Sequence, residues 1–184
     1  MSNEKTFVLQ RQRQLKWKSL DWLESLLMVL CGFTLAAFCT SVILDVITRE
    51  IGRPWLFLQE VTSTFFIYGI FIGAAVATRR NDHLFLAAIG ETMTGRPRLI
   101  IESAIRIVVI AVGLFLLWFG YINFLRGFGS FRMPSMTPIA SLYAAIPISG
   151  ALIALFAFEQ LVNGWRHSFE ESAEDRAARM DSPV

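Results

Sequence analysis

The sequence contains little charge, and long stretches of it contain none. Charged side chains make up 17% of its 184 residues, and four stretches contain none, at 26–44, 61–78, 107–125 and 133–158. A helix of about 18 or more apolar residues is long enough to cross the hydrocarbon layer of a membrane. A soluble domain shows such runs only in buried helices of a large core, and these 184 residues leave no second domain to bury them. We therefore predict an all-α integral membrane protein with four transmembrane helices.

Cysteine and histidine are also scarce, with two of each. Cys31 and Cys39 fall in the first span, where a small apolar side chain is ordinary. His83 and His167 lie at or beyond the ends of spans. A membrane b-type cytochrome needs axial histidines that face one another inside the bundle. The histidine positions therefore disfavour a haem-binding membrane anchor.

The sequence shows no nucleophile with a base, no metal-ligand spacing, no glycine-rich phosphate loop and no nucleic-acid patch. Nor does it show the charge rings or broken helices that are typical of pores and carriers. We predict a protein that is not an enzyme, needs no cofactor and binds no nucleic acid.

The ionisable residues of the spans lie near the span edges, whereas ion-coupled transport places such groups near the bilayer midplane. Glu102 and Arg106 are four residues apart and are predicted to pair along one helix face. Glu60 is the deepest acid on its side, and Arg49 and Arg53 are plausible partners in the neighbouring loop. Structural pairing is favoured over ion coupling for all of them.

Positive charge is distributed unevenly between the two sides of the membrane. Of the 17 Lys and Arg, twelve fall in the N-terminal arm, in the loop between spans two and three, and in the C-terminal tail. Four fall in the other two loops. The positive-inside rule then predicts cytosolic termini and two outer, periplasmic loops.

The resulting segments are a basic arm at 1–21, spans at 22–47, 55–78, 99–125 and 138–163, and a tail at 164–184. The outer loops are 48–54 and 126–137, and the inner loop is 79–98. Asp21 is suited to cap the first span, Gly52 to end it, and Pro54 to the first turn of the next. The arm is either bound to the membrane surface or a disordered tail.

A short amphipathic helix is predicted at 82–93, lying in the plane of the inner interface. Its apolar face consists of Leu84, Phe85, Ala88, Ile89 and Met93.

Small residues at helical spacing predict packing seams, because lipid offers helices no hydrophobic drive to associate. The rows are Gly69, Gly73 and Ala77 in span two, Gly32, Ala36 and Thr40 in span one, and Gly150 and Ala154 in span four. These seams serve either contact within a compact bundle or contact with a partner.

Two blocks of the sequence resemble a known family. The first contains Arg49, Pro54-Trp55, Glu60, Gly73-Ala74-Ala75, Arg79-Arg80 and His83, and the second runs from Thr137-Pro138-Ile139 to Tyr143-Ala144-Ala145-Ile146-Pro147. Their order is similar to that of the small membrane subunit of tripartite ATP-independent periplasmic (TRAP) transporters, the DctQ-like family. Gln59 and Tyr68 stand where this family often has an acid and a tryptophan.

This resemblance implies a small inner-membrane subunit that scaffolds a large transport subunit, with a periplasmic binding protein as the third component. The complex would use a sodium gradient to import small organic anions, without sodium binding to this chain. Membrane lipids are the remaining partners. Without the resemblance, the residues also allow a four-helix multidrug-type transporter. It would act as a homodimer and use Glu60 as its titratable acid.

The outer loops carry a basic and aromatic surface that we predict docks the binding protein. Its members are Arg49, Arg53, Arg126, Phe128, Phe131 and Arg132. The alternative is that these arginines anchor helix ends at lipid phosphates.

Overall fold

The computed structural model describes residues 15–80 and 96–166, with the backbone alone at 96–98 and 166. Its helices are α1 (Asp21–Glu50), α2 (Phe57–Arg80), α3 (Arg96–Arg126), α4 (Ala140–Tyr143) and α5 (Ala145–Arg166). Single 3-10 turns occupy Lys18–Leu20 and Gly127–Gly129. Strand β1 (Phe131–Arg132) pairs antiparallel with β2 (Thr137–Pro138) to form a small hairpin. The predicted surface helix at 82–93 lies outside the described residues.

Within residues 15–80 and 96–166, four helical segments are long and apolar enough to cross a membrane. They are α1, α2, α3 and the α4–α5 unit. The prediction of four such spans is therefore confirmed. The fourth is interrupted, because Ala144 separates the four-residue α4 from α5 and the helix of 138–163 is two pieces rather than one.

The helices form a row. Helix α1 packs extensively on α2, α2 also packs on α5, and α5 also packs on α3, so that α1 and α3 occupy the two edges. The buried apolar core lies where α1, α2 and α5 converge, with Leu27, Ile72, Val76 and Phe156 among its members.

The α3–α5 contact depends on glycine. Gly113, Gly120 and Gly127 are seven residues apart along α3 and its extension, so they lie along one side of the helix. A Cβ atom added at Gly120 would come 2.9 Å from the nitrogen of Pro147, and one added at Gly150 would come 2.5 Å from the nitrogen of Leu117. Backbone meets backbone here, and no larger residue fits without displacement of a helix.

The α1–α2 contact uses only part of the predicted small-residue seam. A Cβ atom at Gly69 or Gly73 would meet Thr34 Oγ1 at 3.3 Å or Cys31 Sγ at 3.5 Å, so these glycines face α1. By contrast, a Cβ atom at Gly32 would meet nothing within 4 Å. Ala36 is also exposed, whereas Ala77 is half-buried. The small residues of α1 therefore lie on an outer face of the row.

The connection between α1 and α2 is tight, and Gly52 ends α1 with a positive φ of 75°. The amide of Gly52 donates to the carbonyl of Arg49, and that of Arg53 to the carbonyl of Thr48, both at 3.0 Å. Helix α2 starts only at Phe57. The placement of Pro54 in its first turn is therefore wrong, and Pro54 belongs to the connection.

Candidate functional sites at the two ends of the helix row

At one end of the row, where α1 begins and α2 ends, the guanidinium of Arg79 is fully enclosed. Its Nε donates to Glu159 Oε2 at 3.1 Å and its Nη1 to Glu24 Oε2 at 2.9 Å. Its Nη2 donates to Asp21 Oδ1 at 3.0 Å. The ring of Phe156 lies 5.4 Å below the guanidinium carbon. One arginine of α2 thereby joins acids of α1 and α5.

Two further cations complete this group, and both bind Glu24. Arg80 Nε donates to Glu24 Oε1 at 3.2 Å, and Lys16 Nζ lies 3.5 Å from Glu24 Oε2. We define the arginine cluster by its members, the cations Lys16, Arg79 and Arg80 and the anions Asp21, Glu24 and Glu159. Formal charges within it balance, although Glu24 and Glu159 are 0% exposed.

The segment that leads into α1 is bound into the same cluster. Arg79 donates to the carbonyls of Trp17 at 3.0 Å and Leu20 at 2.6 Å. The indole of Trp17 donates to Asn163 Oδ1 at 2.7 Å, and Asn163 Nδ2 donates to the carbonyl of Leu15 at 3.1 Å. Residues 15–20 therefore cross the end of the row from α1 to α5.

This arrangement explains two features of the local structure. Asp21 does not cap α1, contrary to prediction, because its carboxylate binds Arg79; Leu20 holds the N-cap position without a side-chain bond. Burial lowers the pKa of Lys16, since loss of water disfavours the ammonium more than Glu24 attracts it.

The arginine cluster was not predicted from the sequence, although a signal was present. Glu24 opens the first span, Arg79 closes the second and Glu159 closes the fourth. In an up-and-down arrangement these three positions meet at one membrane depth. The convergence of the three residues is not visible when each charge is considered only as an edge residue of its own span.

At the opposite end of the row, the β-hairpin is bound to the start of α2. Ser135 donates to the carboxylate of Glu60 through its hydroxyl and, at 3.3 Å, through its backbone amide. Arg132 donates to Thr64 Oγ1 at 2.9 Å and to the carbonyl of Glu60 at 3.1 Å. We call Glu60, Thr64, Arg132 and Ser135 the hairpin latch.

The latch changes the predicted pairing of Glu60. Its carboxylate accepts a hydrogen bond from the backbone amide of Ser135 and does not pair with Arg49 or Arg53. Arg49 binds Asp45 instead, at 3.0 Å along its own helix. Asp45 and Arg49 are four residues apart on one helix face, so they can pair without the loop folding back over α2.

The predicted docking residues divide into two groups. Arg49, Arg53, Arg126, Phe128 and Phe131 are exposed, although Arg49 also binds Asp45, and the two phenylalanine side chains are more than half accessible. Arg132 is turned inward and is engaged in the hairpin latch. Near it, the hydroxyl of Tyr68 donates to the carbonyl of Ser141 at 2.7 Å and ties α2 to α4.

The predicted pair in α3 is present. Arg106 donates to both the carboxylate and the carbonyl of Glu102, and Arg106 itself is 3% exposed.

These features define a class of protein before any comparison is made. The chain is a multi-pass membrane protein in which the arginine cluster and the hairpin latch lie at the two ends of an apolar helix row. The family model described as tripartite ATP-independent periplasmic transporters, DctQ component, matches residues 38–167. The chain therefore belongs to the DctQ family, which supplies the small membrane component of TRAP transporters. No individual curated protein matches it significantly.

Family membership also bears on localisation and partners. The family works in a tripartite complex with a large membrane subunit and a binding protein, and it is a transporter component rather than an enzyme family. With its four membrane-spanning helices, the chain is accordingly a multi-pass inner-membrane protein. The matched region contains Arg79, Glu159 and the whole hairpin latch, whereas Asp21 and Glu24 precede it.

Proposed function

We propose that this chain is a static scaffold in a sodium-coupled importer of small organic anions. It braces the large transport subunit, binds neither substrate nor sodium, and has both termini in the cytosol. The arginine cluster then lies at the cytosolic end and the hairpin latch at the periplasmic end. Selection of the transported compound belongs to the binding protein and the large subunit.

The observation that carries this proposal is the placement of charge. The helix centres, at 27–44, 61–78, 107–125 and 140–158, contain no charged residue. At one end of the row, Arg79 binds both Glu24 and Glu159, and all three residues are at most 1% exposed. An ion-coupled carrier needs charged groups that change partners during transport. Groups committed to each other inside a packed end are suited to rigidity.

The row offers broad apolar faces on which a neighbouring subunit can pack. Helices α1 and α3 at its edges expose many large apolar side chains, among them Phe33, Leu35, Phe115 and Trp118. We place the large subunit on the outer face of α1 that contains Gly32 and Ala36, since small residues permit close helix approach. Gly32→Leu with Ala36→Leu should reduce co-purification of the large subunit, whereas Ala111→Leu on α3 should leave it unchanged.

The uptake experiment uses proteoliposomes with an imposed sodium gradient. The large subunit, this chain and the binding protein together should accumulate a small organic anion, while this chain with the binding protein alone should not. Sodium-driven uptake in the absence of the large subunit would overturn the scaffold assignment.

The homodimeric exporter is tested by purification of the chain from its native membrane. That function needs Glu60 to be a titratable acid deep in a span, but Glu60 lies in the first turn of α2 and is bound by the hairpin. A large polytopic partner in the purified complex supports the scaffold. A stable homodimer without such a partner would support the exporter.

Docking of the binding protein is the second part of the proposal. The basic and aromatic surface formed by Arg53, Arg126, Phe128 and Phe131 is free of the hairpin latch. Arg53→Glu with Arg126→Glu should weaken docking and reduce its dependence on salt. Lys18→Glu, an exposed reversal at the other end of the row, is the control. Unchanged docking in the double variant would mean that these arginines anchor helix ends at lipid.

A further inference from the structure

A groove of about 570 Å³ lies between the first turns of α3 and the last turn of α5. It is lined by Leu99, Ile100, Ser103, Ala104, Ile107 and Trp165. The volume falls within the roughly 300–1,000 Å³ of typical small-ligand sites. The groove takes no part in the arginine cluster, the hairpin latch or the α1 face proposed for the large subunit.

The lining is apolar, and its two polar groups bind each other. The residues from α3 follow one face of the helix, and Trp165 of α5 forms the opposite wall. The indole nitrogen of Trp165 donates to Ser103 Oγ at 2.8 Å. This bond holds in place a tryptophan that is 70% exposed, so the wall is fixed although its outer surface is open. Such a groove is suited to a hydrocarbon chain.

The chain places positive charge directly beside the groove. Helix α3 begins at Arg96, one turn before the lining residues Leu99 and Ile100 and on the same face of the helix, while α5 ends at Arg166, next to Trp165. Two arginine positions therefore lie at the end of the groove where α3 begins and α5 ends. Tryptophan is enriched at the depth of lipid headgroups, and basic pockets between transmembrane helices bind anionic headgroups.

We propose that this groove is a binding site for an anionic phospholipid. One acyl chain lies along the face from Leu99 to Ile107, and the phosphate lies at the end of the groove, beside positions 96 and 166. The inference is independent of the proposed transport role, because it concerns only the α3–α5 pair within this chain.

The test is native mass spectrometry of the full chain in detergent, titrated with phosphatidylglycerol or with phosphatidylcholine of the same acyl chains. Phosphatidylglycerol should bind more tightly than phosphatidylcholine. Ala104→Phe fills the groove and should weaken binding of phosphatidylglycerol about tenfold. Arg96→Gln should weaken it about fivefold and leave phosphatidylcholine unaffected.

Ala111→Phe is the matched control, since Ala111 lies two turns further along the same face of α3, is exposed and does not line the groove. It should bind phosphatidylglycerol as the wild type does. Equal affinity for both lipids, or equal binding by wild type and Ala104→Phe, would overturn the proposal. So would an Ala104→Phe variant that binds lipid normally but no longer co-purifies with the large subunit, because a protein helix would then occupy the groove.

Discussion

The two ends of the helix row are joined by different chemistry. In the arginine cluster, ionised groups from the N-terminal segment, α1, α2 and α5 bind one another, and the side chains of Arg79, Glu24 and Glu159 are 0% exposed. In the hairpin latch, hydroxyl groups and backbone atoms supply most of the contacts, and Ser135 is exposed. The first arrangement fixes the positions of whole helices, whereas the second fixes one loop on one helix.

This difference follows from the kind of polar group at each end and from its burial. Buried charges are costly unless every partner is in place, so the arginine cluster tolerates one arrangement only. Exposed hydroxyl contacts exchange with water at little cost. We infer that the cluster end is the rigid base of the scaffold and that the hairpin end adjusts to its partner.

The largest expected effect comes from breaking the rigid end. Arg79→Met leaves Glu24 and Glu159 buried without their principal cation. Removal of one partner from a buried ion pair costs about 3–5 kcal/mol. The free energy of unfolding in detergent should fall by an amount of this order. Arg79→Lys should recover little of the loss, because an ammonium lacks the five fixed donors of a guanidinium.

Arg80→Gln is the matched control for this variant. Arg80 also binds Glu24, but its side chain is 14% exposed, and Glu24 keeps both Arg79 and Lys16. The control should lose much less stability than Arg79→Met. Equal losses in the two variants would show that the cluster is no more rigid than an ordinary surface pair.

A smaller effect is expected midway between the ends, where glycines bring α3 and α5 together. The Cβ atom in Gly150→Ala would approach Leu117 N to 2.5 Å, so one helix must shift. Overpacking of this kind costs about 1–3 kcal/mol. Thermal unfolding should show the loss. Gly32→Ala, where a Cβ meets open space, should be neutral or raise stability by up to about 1 kcal/mol through helix propensity.

Breaking the adjustable end should change local motion and leave global stability nearly intact. Arg132→Gln removes donors to Thr64 and to the carbonyl of Glu60, and Ser135→Ala removes the hydroxyl bond to Glu60. Hydrogen exchange in 130–139 should accelerate severalfold in either variant. Ser130→Ala, in the same hairpin, serves as the control. A large fall in unfolding temperature would contradict the distinction between the two ends.

The sequence predicted the four spans because each span needs only length and apolar composition, which are local properties. Gly52 was likewise identified as the end of α1 from its residue type. The row of helices was not predictable in this way, since it depends on which faces meet. Gly113 and Gly120 lie in the close contact between α3 and α5, and they are seven residues apart. Only the four-residue spacing of Gly69 and Gly73 was interpreted as a packing signal.

The polar sites show the same division between local and distant information. The Glu102–Arg106 pair was predicted because its two residues share one helix face. The partners of Glu60 were not, since Ser135 is 75 residues away and reaches α2 only through the hairpin. From the sequence, Arg79 served only to predict the orientation in the membrane. Its bonds to Glu24 and Glu159 join residues that are 55 and 80 positions apart.

The smallest expected effect concerns Lys16 and uses pH to measure how tightly the rigid end is enclosed. Within the described part of the chain, Glu24, Arg79 and Arg80 are charged groups that face Lys16, and burial lowers its pKa below the ordinary value of 10.5. The folded protein therefore releases this proton at lower pH than the unfolded chain does. Below the lowered pKa, the charged lysine destabilises the fold, and this cost disappears as pH rises toward 10.5.

Lys16→Met should accordingly raise the unfolding temperature near neutral pH, because it removes the cost of burying the ammonium. Glu24 remains bound to Arg79 and Arg80 in this variant, so no acid is left unpaired. The advantage of Lys16→Met over the wild type should shrink as pH approaches 10.5. Lys18→Met, an exposed lysine two residues on, should show no such trend. A Lys16→Met variant that is less stable at neutral pH would mean that the attraction of Glu24 outweighs the loss of water, and that the cluster end is less enclosed than the burial of Arg79 implies.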